Sequence, residues 1–353
     1  MVELKRKREA YDGRTSELRR RSTSLKSVFG FKTKLVPEAM PRQSVKGHPA
    51  CVSGILILIL VHASVASAQQ VVDRNPPPPS LIELRVPKTV VRMELLDGRP
   101  VVSVRVNGKG PFQFALETGV TGTVVGAELA RELGLPDMGW AIAGKPGAAA
   151  PARATVTRID KLELGEAEIS GLFAVSTEMS RVWTGNHPPQ GVLNAASFPG
   201  LLLTLDFPAK RIELQRGELP AVDGRTIFAW DAEGTLPSTP LALNGLKLEV
   251  ALNLGLASGI DLPERYSDRL RLRSEPAAVP RNKTNTGDGG SEITVATLYG
   301  MAKLGVFTIN HPQVRFIDEM AYGNIGQEIL QRFVVTLDSK NRRLQLARKV
   351  GEE

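Results

Sequence analysis

"ALETGVTGTVV" (Ala115–Val125) is the stretch around which the rest of the chain arranges itself. It reads as the apolar end of a buried strand, then Glu117-Thr118-Gly119, a loop of small residues, and a second apolar segment. A sharp turn after a buried strand holds its side chains rigidly, which suits a functional site. Just upstream, Val101–Val106 alternates, Asn107-Gly108 turns the chain, and Phe112–Leu116 runs back. Apolar runs on either side of Asn-Gly predict a hairpin. Downstream, Ala127–Gly134 (AELARELG) has a helical pattern closed by glycine, and Glu264–Leu270 predicts a second short helix. The other segments are short and β-like, so the chain is expected to be mainly β.

The same order of features returns later. GVLNAASFPGLLLTLDFPAKRIELQ (Gly191–Gln215) lies over GNIGQEILQRFVVTLDSKNRRLQLA (Gly323–Ala347) at a constant offset of 132. LELGEAEI (Leu162–Ile169) lies over AKLGVFTI (Ala302–Ile309) at an offset of 140. Glu117-Thr118-Gly119 lies over Asn253-Leu254-Gly255 at an offset of 136, and an Asn-Gly pair precedes each, at Asn107-Gly108 and Asn244-Gly245. Several matched pairs in one order define an internal repeat. The expectation is two similar lobes, residues 85–220 and 221–349, around a pseudo-twofold axis that sets matched loops face to face.

Residues 1–84 read differently. Cys51–Val61 (CVSGILILILV) is an apolar run too short to span a bilayer, which needs about 20 residues. Ala66-Ser67-Ala68 follows it, which predicts a secretory signal peptide cleaved after Ala68, with a basic leader before it. The start is either Met1 or Met40. Residues 69–84 contain DRNPPPPS (Asp73–Ser80) and read as a stiff linker. The expected location is periplasmic or secreted, without stable membrane insertion after cleavage.

Residues 1–68 hold 13 Lys/Arg against 5 Asp/Glu, which accounts for the whole net charge of +8; the remainder holds 32 of each. Nothing in the mature chain's charge argues for a nucleic-acid partner. Cys51 is the only cysteine and lies in the leader, so the mature chain has no disulfide or thiolate. With His187 and His311 as its only histidines, a metal cluster or a Ser-His-Asp triad is poorly supplied.

The repeat resembles the retropepsin-like aspartic peptidases, in particular the secreted bacterial two-lobed type. In that family each lobe contributes an apolar strand ending in Asp-Thr-Gly, and a later glycine-containing apolar segment packs beneath that turn. The ending from Gly323 matches the family pattern closely. The resemblance implies two β-barrel lobes whose turns meet at the floor of a cleft, with no metal or organic cofactor. Gly144–Ala152 and Asn282–Ser291 are the loops that would fold over it.

Both dyad positions depart from the pattern. Glu117 stands where the family has its first Asp, with Thr118 and Gly119 retained; Asn253 and Leu254 replace the second Asp and its Thr, with Gly255 retained. An aspartic peptidase needs two carboxylates sharing one proton, about 3 Å apart. Glu is one CH₂ too long, and Asn has no acidic proton to give. Leu254 also removes the hydroxyl that in the family bonds across the lobes.

The resemblance therefore implies a peptide-binding pseudopeptidase holding an extended peptide or protein segment. Two alternatives stay open: a low-rate aspartic endopeptidase using Glu117 as base, and a structural or assembly module with a self-filled cleft. Whether the chain is an enzyme, and its oligomeric state, are not fixed by the sequence. Of the other acids, Asp206 and Asp338 read as turn caps, and Asp261 is a weaker candidate for a replacement carboxylate. His187 reads as a solvated loop residue.

Overall fold

The computed structural model describes residues 80–120, 122–143, 152–183, 187–230, 236–279, 292–318 and 320–348. The leader, the cleavage site, most of the linker and the two loops expected over the cleft lie outside these residues, except that Ala152 begins a strand. All described residues fall within one compact unit. Among them, no helix is long and apolar enough to cross a membrane.

The chain is mainly β, in two sheets. The predicted hairpin forms between Arg99–Val106 and Lys109–Glu117, with Asn107 at φ 49° and Gly108 at φ 77°. These are the left-handed conformations that a two-residue hairpin turn demands, which Asn and Gly tolerate best. Asn244 and Gly245, at 47° and 87°, do the same between Ser238–Leu243 and Leu246–Leu252. The helix Ala127–Leu133 closes on Gly134 at φ 65°, as its sequence predicts. Glu264–Arg269 forms a 3₁₀ turn rather than an α-helix.

Strand pairing repeats along the chain. The strand leading to Glu117 pairs in parallel with Gly191–Asn194, and the one leading to Asn253 pairs in parallel with Gly323–Ile325. In each half that short strand also takes an antiparallel neighbour, Thr123–Gly126 or Ile260–Pro263. Gly165 and Gly305 turn the matched hairpins at φ 58° and 57°.

The larger sheet has 14 strands among the described residues and draws on both halves. Six consecutive antiparallel strands join them: Ile227–Ala229, Arg343–Ala347, Val334–Asp338, Leu201–Asp206, Arg211–Arg216 and Lys88–Leu96. At the seam the repeat-matched threonines Thr204 and Thr336 are direct register partners, with their hydroxyl oxygens 3.0 Å apart. Among the described residues the smaller sheet has nine strands, all from the second half. One cluster of buried side chains runs through both halves and includes Phe114, Phe198, Phe316 and Phe333, each worth roughly 1.5–3 kcal/mol in burial. Leu81–Leu84, within the segment read as linker, pairs with Ala167–Thr177 and buries Leu84, so the folded part includes it.

The glycines beneath the two turns are spaces as much as hinges. A methyl group on Gly191 would lie 2.5 Å from the Phe114 ring, and one on Gly326 would run into the carbonyl oxygens of Ser258 and Leu256. Gly122 has open space around it. Gly326→Ala is therefore expected to lower unfolding free energy by about 2 kcal/mol in urea denaturation, with Gly122→Ala as a near-neutral control within about 0.5 kcal/mol.

Candidate active site

Thr118 holds the two turns together. Its hydroxyl donates to the Leu252 carbonyl at 2.5 Å and accepts from the Leu254 backbone N–H at 3.1 Å. Both bonds are buried, and both join residues more than 130 positions apart in sequence. Leu254 occupies the matched position, is buried at 1% exposure, and has no hydroxyl to return the bond. The grip runs one way. Each turn is also tied to its own half. Asn194 donates its amide to the Val120 carbonyl at 2.9 Å, and Gln327 donates to the Leu254 carbonyl at 2.7 Å.

Glu117 and Asn253 each reach over the other turn. A methyl group on Gly255 would lie 2.7 Å from Cδ of Glu117 and 2.8 Å from both its carboxylate oxygens. One on Gly119 would lie 3.1 Å from Oδ1 of Asn253 and 3.4 Å from its Nδ2. All six turn positions read from the sequence, Glu117, Thr118, Gly119, Asn253, Leu254 and Gly255, therefore meet at one place. A Cβ at 255 would come within 3 Å of the Glu117 carboxylate and force it to move, and one at 119 would press on the Asn253 carboxamide. Asn253 Oδ1 accepts from the Gly255 backbone N–H at 3.1 Å, which fixes the carboxamide within its own turn. Glu117 is buried at 8% exposure, and Asn253 is half-buried.

Chemically, the pair supplies one carboxylate and one neutral amide. Glu117 can accept hydrogen bonds or act as a base. Asn253 can donate and accept but cannot exchange a proton with it. Among the described residues no cluster of His, Cys, Asp and Glu is placed to hold a metal ion.

Two neighbours of the site were not read from the sequence. Arg99 is buried at 6% exposure, and its guanidinium carbon lies 3.3 Å from the centre of the buried Trp183 ring. Its Nη2 is 3.7 Å from Oδ2 of Asp97. Burial pushes the Arg99 guanidinium down from its ordinary value, while the charges of Glu117 and then Asp97 push it back up.

The remaining acids are structural. Asp261 takes a fork from Arg315, Nε to Oδ1 at 2.8 Å and Nη2 to Oδ2 at 2.5 Å, and also accepts from Ser258 at 2.8 Å. A carboxylate so engaged is a buried ion pair, so Asp261, the weaker candidate from the sequence, is committed to Arg315. Asp206 accepts from the Ala209 N–H and pairs with Arg211, and Asp338 accepts from the Asn341 and Leu219 N–H groups, in the turn-capping role expected. His187 is exposed and lines a cavity of about 250 Å³ together with Leu96, Val101 and Gln113.

Residues 102–196 match the aspartyl protease family. The matched stretch includes the Glu117 turn, the helix after it and the Gly191–Asn194 strand beneath it, so this part of the chain is aspartic-protease-like. Among curated proteins, none matches the chain.

Replacing Thr118 tests the grip directly. Thr118→Val leaves the Leu254 N–H and the Leu252 carbonyl without their shared partner, each buried group costing about 1–3 kcal/mol. The expected loss is at least about 2 kcal/mol by urea denaturation, with Thr118→Ser retaining most of the stability.

Proposed function

We propose that the chain is an exported, two-lobed aspartic-peptidase-like protein that binds an extended peptide or protein segment without hydrolysing it. The observation that carries this reading is the meeting of the Glu117 and Asn253 turns, each side chain lying against the glycine of the other turn. In a working dyad those places belong to two short carboxylates, and the like charges force their proton affinities apart. With Asn253 there is one ionisable group, so the proton that activates the substrate carbonyl has no donor. Glu117 is also too long for the geometry: about 1 Å of misplacement costs on the order of a hundredfold in rate.

The repeated pairing, the Asn-Gly hairpins and the facing threonines Thr204 and Thr336 support two lobes related by a pseudo-twofold axis. The cavity beside the hairpin that leads to Glu117, lined by Leu96, Val101 and Gln113 among others, offers mixed apolar and polar walls for a peptide side chain.

Restoring the dyad tests the reading. The triple change Glu117→Asp, Asn253→Asp, Leu254→Thr supplies two short carboxylates and the missing hydroxyl. Against a mixed peptide library, the natural mature chain is expected to cut little or nothing at any pH. The triple variant is expected to cut at acidic pH and to be blocked by a pepstatin-type inhibitor. Asn253→Asp alone is expected to recover only part of that activity. Efficient cleavage by the natural chain would replace this reading with that of an endopeptidase using Glu117 as base. A folded triple variant that neither cuts nor binds inhibitor would overturn it. Export is checked separately: protein purified from the host's envelope fraction is expected to begin at Gln69, and a chain beginning at Met1 or Met40 there would contradict processing.

A further inference from the structure

The ladder that leads to Glu117 gives it a partner outside the dyad. Val101 pairs with Ala115 and Val102 with Phe114. Carried two residues further, the same register sets Arg99 across from Glu117 on the same face of the sheet, the closest side-chain relation two strands offer. Trp183 packs on that face among Val101, Ala115, Val124 and Val192, and Arg99 lies on its ring. In the second half, Ser238 pairs with Ala251, and the same extension sets Leu236 across from Asn253. A cation thus faces the charged dyad position and an apolar side chain faces the neutral one.

We propose that Arg99 is the positioning residue of Glu117: its fixed charge takes the place that a shared proton has between two carboxylates and holds Glu117 as a permanent acceptor at the cleft floor. This rests on reading the two turns as a degenerate dyad. A ligand would then meet one constant carboxylate and one constant amide, instead of two groups that trade a proton.

Asp97 competes for Arg99 from the preceding turn, and Glu94 lies on the same face opposite Val101. Asn194 is the register partner of Glu117 on its other side, and residues 253–258 include no ionisable side chain. An adjacent cation favours the ionised carboxyl while burial of Glu117 opposes it; on this proposal the cation prevails, so that Glu117 titrates below the ordinary Glu value of about 4.3. The stability from the pair is then fully present above that ordinary value and is lost as pH falls through the lower folded one.

The test is a carboxyl-carbon NMR titration of the whole mature chain labelled with ¹³C-glutamate, with Glu117 assigned by its absence in Glu117→Gln. The natural chain is expected to show a Glu117 midpoint about 1 unit or more below the ordinary value. Arg99→Met, which keeps an unbranched stem beside Trp183, is expected to raise the midpoint by about 1–3 units. An unchanged midpoint in folded Arg99→Met would overturn the proposal. If that variant does not fold, a midpoint in the natural chain at or above the ordinary value overturns it alone. A low midpoint with an inactive triple variant would remove the dyad reading and leave the Arg99–Glu117 pairing; an ordinary midpoint with an active triple variant would do the reverse.

Discussion

Two backbone turns can approach to hydrogen-bonding distance only where neither carries a side chain in the way. Here Gly255 leaves room for the Glu117 carboxylate and Gly119 for the Asn253 carboxamide, and beside them the Thr118 hydroxyl bonds both the Leu252 carbonyl and the Leu254 N–H. Much of the surrounding architecture serves this approach. The parallel pairs Leu116–Leu193 and Leu252–Ile325 fix where each strand ends. Gly191 makes room for the Phe114 ring beneath the first turn, and Gly326 admits the Leu256 and Ser258 carbonyls beneath the second. A shift of one residue in either ladder would turn Glu117 or Asn253 to the opposite face.

The seam of six strands supplies the rigidity that a single buried hydroxyl could not. Val334–Asp338 from the second half lies directly against Leu201–Asp206 from the first, and their side chains join one buried cluster. The ends of these strands are held as well. Asp206 and Asp338 stop their strands by accepting backbone N–H groups, and Asp338 also binds the Leu219 N–H, which anchors the connection to the second half. Separating the turns would mean losing the Thr118 bonds and straining this seam.

Much of this was legible in the sequence, for local reasons. Asn-Gly at 107–108 and 244–245 has few alternatives to a tight hairpin, and the matched Gly165 and Gly305 turn their hairpins at nearly equal φ. The repeat offset of 136 sets Glu117 and Asn253 at matched positions. Arg99 was hidden by one register irregularity. Counting outward from the Val106–Lys109 pair puts Gly98 opposite Glu117; the shift between Val104 and Val106 moves the ladder by one and puts Arg99 there instead. A bulge of this kind has no reliable signature in a single sequence. The Asp261–Arg315 pair was hidden differently. Its partners are 54 residues apart on neighbouring parallel strands, and their register depends on the assembled sheet. Leu81–Leu84 was hidden by the proline run before it, which outweighed four residues of strand pattern.

The substitutions at the dyad form a connected set on the proposed reading. A carboxylate at 8% exposure needs a compensating charge or a proton, because an isolated ion in a low-dielectric interior is costly. An aspartic dyad meets this need internally, one carboxyl remaining protonated beside the other. Once position 253 is an amide, that solution is gone, and Glu117 must find its compensation elsewhere. The register of that ladder, extended by two residues, sets Arg99 across from it, with Trp183 against the guanidinium. Leu254 fits the same logic from the other side: where no second carboxylate has to be held in register, a returned hydroxyl is dispensable, and a leucine buried at 1% exposure contributes packing instead. What remains is a floor shaped for two acids that carries the charge of one.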